Sequence, residues 1–268
     1  MSIITISRGS YSRGKDVAEL VAAALGYECI SRDILLEASE EFNIPELKLV
    51  RALHDAPSIL DRFTNGKERY IAYIRSALLK HVRKDNVVYH GLGGHFFLQE
   101  IPHVFKIRIT AEFEDRLMEE MKRENISAEE ARYILKKDDE ERRKWALYLF
   151  GKDTTDANLY DMMLHIKTMR VKDAVEVIQC AVKRPCFQTT PQSQAVLNNL
   201  VLSSQVEAAL VKQFPSITAH AAEGVVTVNI KAPLNYADKI TAQAEEDAGK
   251  VEGVKTVKVY ISPSTSGD

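Results

Sequence analysis

The sequence predicts an α/β fold, a parallel sheet covered by helices on both faces, followed by a small α+β module. Short β-branched runs alternate with stretches of helical periodicity in the first part of the chain, which is typical of parallel strands connected by helices. The 268 residues, 45% hydrophobic and 28% charged, suffice for about two domains with packed cores. No arginine follows Arg184, and this change in composition marks the start of the second part.

The first part opens with a strand, a loop and a helix. Ser2–Ser7 is apolar and β-branched, a turn-rich loop follows, and Asp16–Leu25 has apolar residues at helical spacing. The segment Glu112–Phe150 is helical and dense in charge, with a capping box at Ser127–Glu130, and we expect it to stand partly outside the core. Further strands are predicted at residues 86–90, 103–109 and 160–166.

The second part predicts two helices and two strands in alternation: helix 205–213, strand 225–230, helix 236–251 and strand 254–261. Before it, Pro185 and a polar stretch that includes Pro191 favour neither helix nor strand, so we expect a linker there. The predicted division is a first domain at 1–184, a linker at 185–194, a second module at 195–262 and a flexible tail at 263–268.

Charge and composition exclude several classes of partner. The formal net charge is -2, so there is no global electrostatic basis for binding a nucleic acid polymer or an anionic membrane. No apolar run is long enough for a membrane span and the N-terminus lacks the layout of a secretion signal, so we expect a cytoplasmic protein. Cys29, Cys180 and Cys186 have no CxxC spacing, which indicates free and mostly buried thiols.

The most specific motif is a glycine-containing loop between the first strand and the first helix. Glycines let successive amides point at phosphate oxygens, the helix N-terminus adds its dipole, and Lys15 would reach the β and γ oxygens. Asp16 occupies the position where Ser or Thr normally binds magnesium (Mg²⁺), so the metal would be held by this carboxylate, by water or elsewhere. The alternative is an ordinary turn with a surface lysine. The predicted phosphate-binding residues are Gly9, Ser10, Tyr11, Ser12, Arg13, Gly14, Lys15 and Asp16.

Phosphoryl transfer also needs cations around the transferred group, because negative charge spreads over its oxygens. Arg116 follows the strand at 103–109, and Arg142 and Arg143 lie on the charged helix. The alternative is that these arginines belong to a solvated face held by i,i+4 pairs.

Two further segments have competing interpretations. The run His90-Gly-Leu-Gly-Gly-His95 is expected to be a tight strand-to-helix turn, and the alternatives are a second phosphate loop or a metal pair. Trp145, with the aromatic residues that follow it, is expected to pack the charged helix onto the body; the alternative is a base-stacking platform.

Taken together, these residues resemble the cytidylate kinase-like proteins over about residues 1–180. The resemblance implies a P-loop nucleoside monophosphate kinase-like fold, with a five-stranded parallel sheet, a helical monophosphate-binding insertion and a helical lid whose arginines close over ATP. The motifs occur in the family's order and spacing: Ile4-Thr-Ile-Ser-Arg8, the loop to Lys15, Leu25-Gly-Tyr27, Ser31-Arg-Asp-Ile-Leu35, Val87-Val-Tyr-His-Gly91, Arg116, Asp139-Glu-Glu-Arg142 and Tyr160-Asp161.

The resemblance also implies roles for individual residues. Residues Gly9 to Asp16 would hold the phosphates of ATP, with Mg²⁺ at Asp16, and the catalytic cations would be Lys15, Arg116, Arg142 and Arg143. The nucleoside monophosphate acceptor would be bound by Arg32, Asp33, Arg51 and Arg62. The family often has an acidic residue where Ser31 stands and an arginine where Leu92 stands.

The second part resembles a BON domain, a small α+β unit that would serve here as a regulatory or interaction module for an unidentified ligand or partner. The similarity rests on Val206–Leu210, Gly224–Val228, the helix from Tyr236 and Gly253–Val257.

Two functions follow as hypotheses. The first is an ATP-dependent kinase of CMP or a related nucleoside monophosphate. The second, which Asp16, Ser31 and Leu92 favour, is a nucleotide-binding regulator with impaired transfer that signals through the second module. A kinase of a non-nucleotide acceptor is a third.

Overall fold

The computed structural model describes residues 1–10, 12–31, 33–42, 66–91 and 93–263 of the 268-residue chain. Five parallel strands form the first sheet, in the order β2-β3-β1-β4-β5. Their bounds are β1 Ile3–Arg8, β2 Glu28–Ile30, β3 Val87–Tyr89, β4 Val104–Ala111 and β5 Met162–Ile166. The predicted parallel sheet is therefore confirmed; β2, a three-residue strand, was not predicted.

Helices cover both faces of this sheet. Their bounds are α1 Gly14–Leu25, α2 Asp33–Phe42, α3 Gly66–Val82, α4 Gly94–Phe97, α5 Phe113–Glu124, α6 Ala128–Phe150, α7 Val171–Val182 and α8 Pro191–Leu210. Alternate residues of β1 belong to the two cores: Ile4 and Ile6 pack with α1 and α7, while Ile3 packs with α3, α4 and α8. Since both faces of a central parallel strand are buried, β1 is buried from Ile3 to Ser7, with isoleucine at three of these five positions.

The second part contains a three-stranded sheet in the order β6-β7-β8, with β6 antiparallel and β8 parallel to β7. Its elements are β6 Thr218–Ala222, β7 Val225–Lys231, α9 Ala237–Gly249 and β8 Thr256–Ser262. Val226, Val228 and Ile230 alternate inward from β7 onto α8 and α9. The predicted small α+β module is thus present as a second sheet, although β6 was not predicted.

The expectation of a linker without helix is wrong at its C-terminal end. Pro191 begins α8, and the Thr190 side chain caps it by accepting a hydrogen bond from the Ser193 backbone N–H at 3.1 Å. Proline is favoured at the first helical position because the N–H it lacks has no partner there. The helix predicted at 205–213 is only the end of this 20-residue helix.

One helix, α8, belongs to both cores. Leu197 and Val201 pack in the core of the first sheet, whereas Val206 and Leu210 pack in the core of the second. Glu207 joins the parts further: it accepts from Arg75 of α3 at 3.1 Å and from the Ala219 backbone N–H at 2.9 Å. The helix α8 therefore packs with both sheets along its length.

Replacing Leu197 with alanine tests this shared core. Leu197 is fully buried, so we expect the free energy of unfolding to fall by about 2–5 kcal/mol, with the first sheet affected as well as the second. Urea unfolding followed by Trp145 fluorescence measures the first part. The control is Val196→Ala, since Val196 is exposed on the same helix. A Trp145 transition that does not move in Leu197→Ala contradicts the shared core.

Two further expectations concern membranes and thiols. Within the described residues, no helix has both the length and the apolar character needed to cross a membrane. The expectation of mostly buried thiols is wrong for Cys180 and Cys186, which are exposed because they lie on solvent-facing positions at and after the end of α7.

Candidate functional site

A cleft of about 700 Å³ opens at the carboxyl ends of β1, β3 and β4. Open parallel sheets bind ligands at this edge, where neighbouring strands send their helices to opposite faces. The helix α6 and Thr154–Thr155 form the other wall. The charged residues that line the cleft are Arg8, Arg108, Arg116, Lys136, Asp138, Asp139, Glu140, Glu141, Arg142 and Arg143.

The glycine-containing loop is fixed at its start and its end. The Ser12 hydroxyl is buried and lies within hydrogen-bond distance of two carbonyl oxygens, Gly9 at 3.0 Å and Ile109 at 3.1 Å. Arg13 precedes α1 with a φ of 62°, a left-handed conformation that favours glycine. A Cβ on Gly14 would lie 2.6 Å from the side chain of Arg8, so glycine is required for this close approach. Gly9 and Ser12 line the cleft.

Arg116 connects this loop to α6. Its Nε donates to the Ser10 carbonyl oxygen at 2.6 Å, and its NH2 donates to Asp139 at 2.7 Å. Asp139 also accepts from the Ser10 backbone N–H at 3.3 Å. The Arg116 side chain is 11% exposed, and NH1 lies beside Gly9. Arg116 therefore holds the loop and presents its remaining N–H groups at the cleft.

Lys15 and Asp16 lie outside the cleft lining. Lys15 Nζ is 3.6 Å from Glu19, and the side chain is 59% exposed. Asp16 pairs with Arg13 at 3.4 Å, and Arg13 also donates to Glu119 at 2.7 Å. The side chains proposed for the γ phosphate and the metal thus face solvent in this conformation.

Arg142 and Arg143 both line the cleft from α6, with different partners. Arg143 donates to Asp153 at 2.7 Å, which holds the pKa of that carboxyl near 2. Among the residues that the structure describes, no carboxylate oxygen lies within 4.0 Å of the Arg142 side-chain nitrogens. Arg142 is consequently the more available of the two for an anionic ligand.

The floor of the cleft is polar and contains Arg108, Ser7 and Tyr160, none of which was among the predicted site residues. Arg108 of β4 donates from NH1 to the Ser7 hydroxyl at 3.4 Å and to the Tyr160 hydroxyl at 3.3 Å. Tyr160 donates to the Thr154 carbonyl oxygen at 2.9 Å. The sequence did contain an indication of Arg108, because an arginine is unusual in a strand that a parallel sheet buries on both faces. Arginines are rarely buried without a ligand or partner.

Both histidines of the run at 90–95 line this cleft. The run is a strand-to-helix turn, as expected: β3 ends at Tyr89, α4 begins at Gly94, and Gly93 has a φ of 77°. Burial, helped by Arg8, lowers the pKa of His90. Burial and the charge of Arg108 lower the pKa of His95 to about 3. Both rings are therefore neutral near pH 7.

The low pKa of His95 predicts an acid-sensitive stability. The unfolded chain protonates this ring below its ordinary pKa of 6.5, whereas the folded protein protonates it only near 3. Its contribution is therefore complete above pH 6.5 and is lost as the pH falls toward 3. Between pH 7 and pH 5 we expect His95 to account for a loss of about 2 kcal/mol in the free energy of unfolding.

Urea unfolding at the two pH values measures this loss in wild type and in His95→Gln, which removes the titrating ring. The variant should lose less stability on acidification than wild type. The exposed His220 on β6 provides the control, His220→Gln. Equal pH dependence in wild type and His95→Gln would show that His95 is not the responsible group.

The remaining predicted site residues have mixed outcomes. Trp145 is buried beside Gly93, and Phe150 of the same helix stacks on Phe96 of α4 with ring centroids 4.3 Å apart, as expected for a helix packed on the body. Tyr11, Arg32, Arg51, Arg62 and Leu92 lie outside the described residues, as does the side chain of Asp33. The acceptor-binding assignments therefore stay predictions.

The structure offers little protein ligation for a metal ion. Within the described part of the chain, no group of three His, Cys, Asp or Glu side chains is placed to hold one. Magnesium commonly keeps several waters and binds through nucleotide phosphates, with one or two carboxylates. Asp138 and Asp139 line the cleft in which such a metal would lie. Asp16 lies outside the cleft lining and pairs with Arg13.

Comparison with known proteins adds the family. A family model described as the Cytidylate kinase-like family matches residues 3–168. Among curated proteins, none matches the chain.

Three solved structures are each similar to about two thirds of the chain. An uncharacterized protein from Eubacterium ventriosum ATCC 27560 is 19% identical, with a TM-score of 0.53, over 69% of this chain and 100% of its own. A shikimate kinase from Bacteroides thetaiotaomicron is 11% identical, with a TM-score of 0.43, over 68% of this chain and 99% of its own. TT1252 from Thermus thermophilus is 17% identical, with a TM-score of 0.42, over 68% of this chain and 95% of its own. The first of these shows that the fold has been seen before.

Proposed function

The chain belongs to the cytidylate kinase-like family, and from this premise we propose that it is an ATP-dependent nucleoside monophosphate kinase acting on CMP or a related nucleotide. The observation that carries the proposal is the convergence of Arg108 of β4, Arg116 of α5 and Arg142 of α6 on one cleft beside the phosphate loop. Converging cations stabilise the charge that spreads over a transferring phosphoryl group.

In this proposal ATP supplies the phosphoryl group, with its phosphates at Gly9–Lys15 and its magnesium carried on them. The N-terminus of α1 and Arg116 lie at the loop and suit an anion. The backbone N–H groups of Gly9, Ser10 and Ser12 donate within the protein. Arg142 and Arg143 would approach the phosphates from α6. The acceptor phosphate is already an anion, so the reaction needs no strong base, in keeping with two neutral histidines in the cleft.

Lys15 must move for this function. Leaving Glu19 costs little, since exposed i,i+4 pairs contribute about 0.3–0.5 kcal/mol. The charge of Lys15 already acts on the cleft residue His90, whose pKa it helps to lower. We expect a bound triphosphate to draw Lys15 from Glu19 into the cleft.

The test is ADP formation from magnesium-ATP with CMP, dCMP, UMP, AMP and GMP as acceptors. ADP formation that depends on one of these acceptors supports the kinase and identifies its substrate. ATP binding without transfer to any of them contradicts the proposal.

The outward Lys15 favours a second candidate, a nucleotide-binding regulator with impaired transfer. In that function the second part, which we propose to be BON-like, receives the signal through α8. Nucleotide binding would then change hydrogen exchange in α8 while no ADP is formed. Any acceptor-dependent turnover rules this candidate out.

A further inference from the structure

Arg108 lies on the sheet face opposite the helix of the phosphate loop. It is in register with Ser7 of the neighbouring strand, inside the sheet rather than on a loop. Ile107 and Ile109, on either side of it, pack with α1 residues in one core. Because side chains alternate along a strand, Arg108 emerges on the other face, where it meets Tyr160.

The charge of Arg108 has only neutral partners. Its NH1 donates to two hydroxyls, Ser7 and Tyr160, and its guanidinium lies 5.6 Å from the centre of the Tyr160 ring. Within the residues that the structure describes, no carboxylate oxygen lies within 4.0 Å of it. By contrast, Arg116 pairs with Asp139 and Arg143 with Asp153. A partly buried cation with no counter-charge is costly unless an anion joins it.

The neighbours of Arg108 position it for such an anion. The Tyr160 hydroxyl donates to the Thr154 carbonyl oxygen at 2.9 Å and accepts from Arg108, and it also lies 3.3 Å from the Ser7 hydroxyl and 3.4 Å from His95 Nε2. Arg108 makes no other hydrogen bond to a described side chain, which leaves N–H groups of the guanidinium for a ligand. The nearby His95 ring is neutral, so it adds no second positive charge. The remaining donors suit a phosphate oxygen pair.

We propose that Arg108, held by Ser7 and Tyr160, binds the phosphate group of the acceptor, in a subsite separate from the phosphate loop. That the group is a phosphate follows from the cleft's chemistry; that it belongs to the acceptor rests on the proposed function. The donor's phosphates occupy the loop at the N-terminus of α1, and Arg108 projects from the opposite face of the sheet. One guanidinium would thus place the attacking oxygen against the donor.

The first experiment uses inorganic phosphate, which requires no knowledge of the acceptor. Isothermal titration calorimetry compares wild type with Arg108→Gln and with the control Arg83→Gln. Arg83 is exposed and directly follows the end of α3. We expect Arg108→Gln to weaken phosphate binding about tenfold or more, as the loss of charge-assisted hydrogen bonds predicts, and Arg83→Gln to change it less than about twofold. Equal affinity in wild type and Arg108→Gln overturns the subsite, and so does a wild type that binds no phosphate.

A melting curve without ligand separates binding from a structural role. Arg108→Gln removes an uncompensated charge, so its unfolding temperature should equal or exceed that of wild type, while the increase caused by phosphate disappears. A lower melting temperature together with a preserved response to phosphate would make Arg108 structural. Arg108→Lys, which keeps the charge but not the two-hydroxyl contact, should bind phosphate with intermediate affinity and provides a folded comparison.

A second arm tests which phosphate is bound, using CMP and a non-hydrolysable ATP analogue as probes. Arg108→Gln should weaken CMP about tenfold and the ATP analogue less than about twofold. Weakening of the ATP analogue alone overturns the acceptor assignment. If no nucleoside monophosphate of the kinase panel binds wild type, the proposed function fails and the acceptor assignment fails with it, while the phosphate titration still decides the subsite.

Discussion

Lys15→Ala is expected to lower phosphoryl transfer on the order of 10²–10³-fold while leaving the unfolding temperature nearly unchanged. The first effect follows because one cation aimed at developing charge contributes about that much to catalysis. The second follows because Lys15 is exposed and its pair with Glu19 is a surface contact. Steady-state ADP formation and thermal unfolding measure the two effects on the same preparation.

The matched control is Lys250→Ala. Lys250 also forms an exposed i,i+4 pair, with Glu246, but lies in the second part away from the cleft. Its activity should equal that of wild type. If Lys15→Ala keeps full turnover, the lysine stays with Glu19 during the reaction and the loop does not act as proposed; if wild type has no turnover, the regulator becomes the better account.

Arg116→Ala is expected to lower turnover by a similar 10²–10³-fold and also to destabilise the protein, by about 1.5–3 kcal/mol. The loss of stability distinguishes Arg116→Ala from Lys15→Ala. Arg116 is largely buried and connects the Ser10 carbonyl oxygen to Asp139 by hydrogen bonds. Without it, the loop loses its connection to α6. Turnover and urea unfolding are the measurements.

Two variants separate the charge of Arg116 from its bridging contacts. Arg116→Lys keeps the charge but cannot make both contacts, so it should recover only part of the activity. Asp139→Asn keeps only one of the two oxygens that accept from Arg116 and Ser10, so it should lose part of the stability while Arg116 itself remains. Wild-type turnover in Arg116→Ala would refute a role at the reacting phosphate.

Local sequence patterns predicted most of the first sheet. The strand, loop and helix at the N-terminus, the capping box at Ser127 and the turn at residues 90–95 all occur where neighbouring residues indicate them. These features depend on periodicity, capping and glycine, which act over a few residues. The strands β2 and β6 were missed because each has only one β-branched residue, Ile30 in β2 and Thr218 in β6.

The contacts that Arg108 makes in the polar floor of the cleft could not be predicted in this way. Tyr160 and Ser7 meet although they are 153 positions apart in the chain, and Arg108 reaches Tyr160 across 52. No local pattern specifies such contacts, since they arise from the order in which the strands pair. The misplaced linker has the same origin: Pro191 is compatible with a turn or a helix start, and packing of α8 against both sheets selects the helix.

By itself, the sequence determined the class of fold and indicated a candidate phosphate loop and the candidate cations Lys15, Arg116, Arg142 and Arg143. Only the tertiary structure decided how their charges are balanced: Arg116 and Arg143 have carboxylate partners, Lys15 faces Glu19, and Arg108 meets only hydroxyls among the described residues. The physical reason is that residue type and spacing determine local conformation, whereas the compensation of a charge depends on groups brought together from distant parts of the chain.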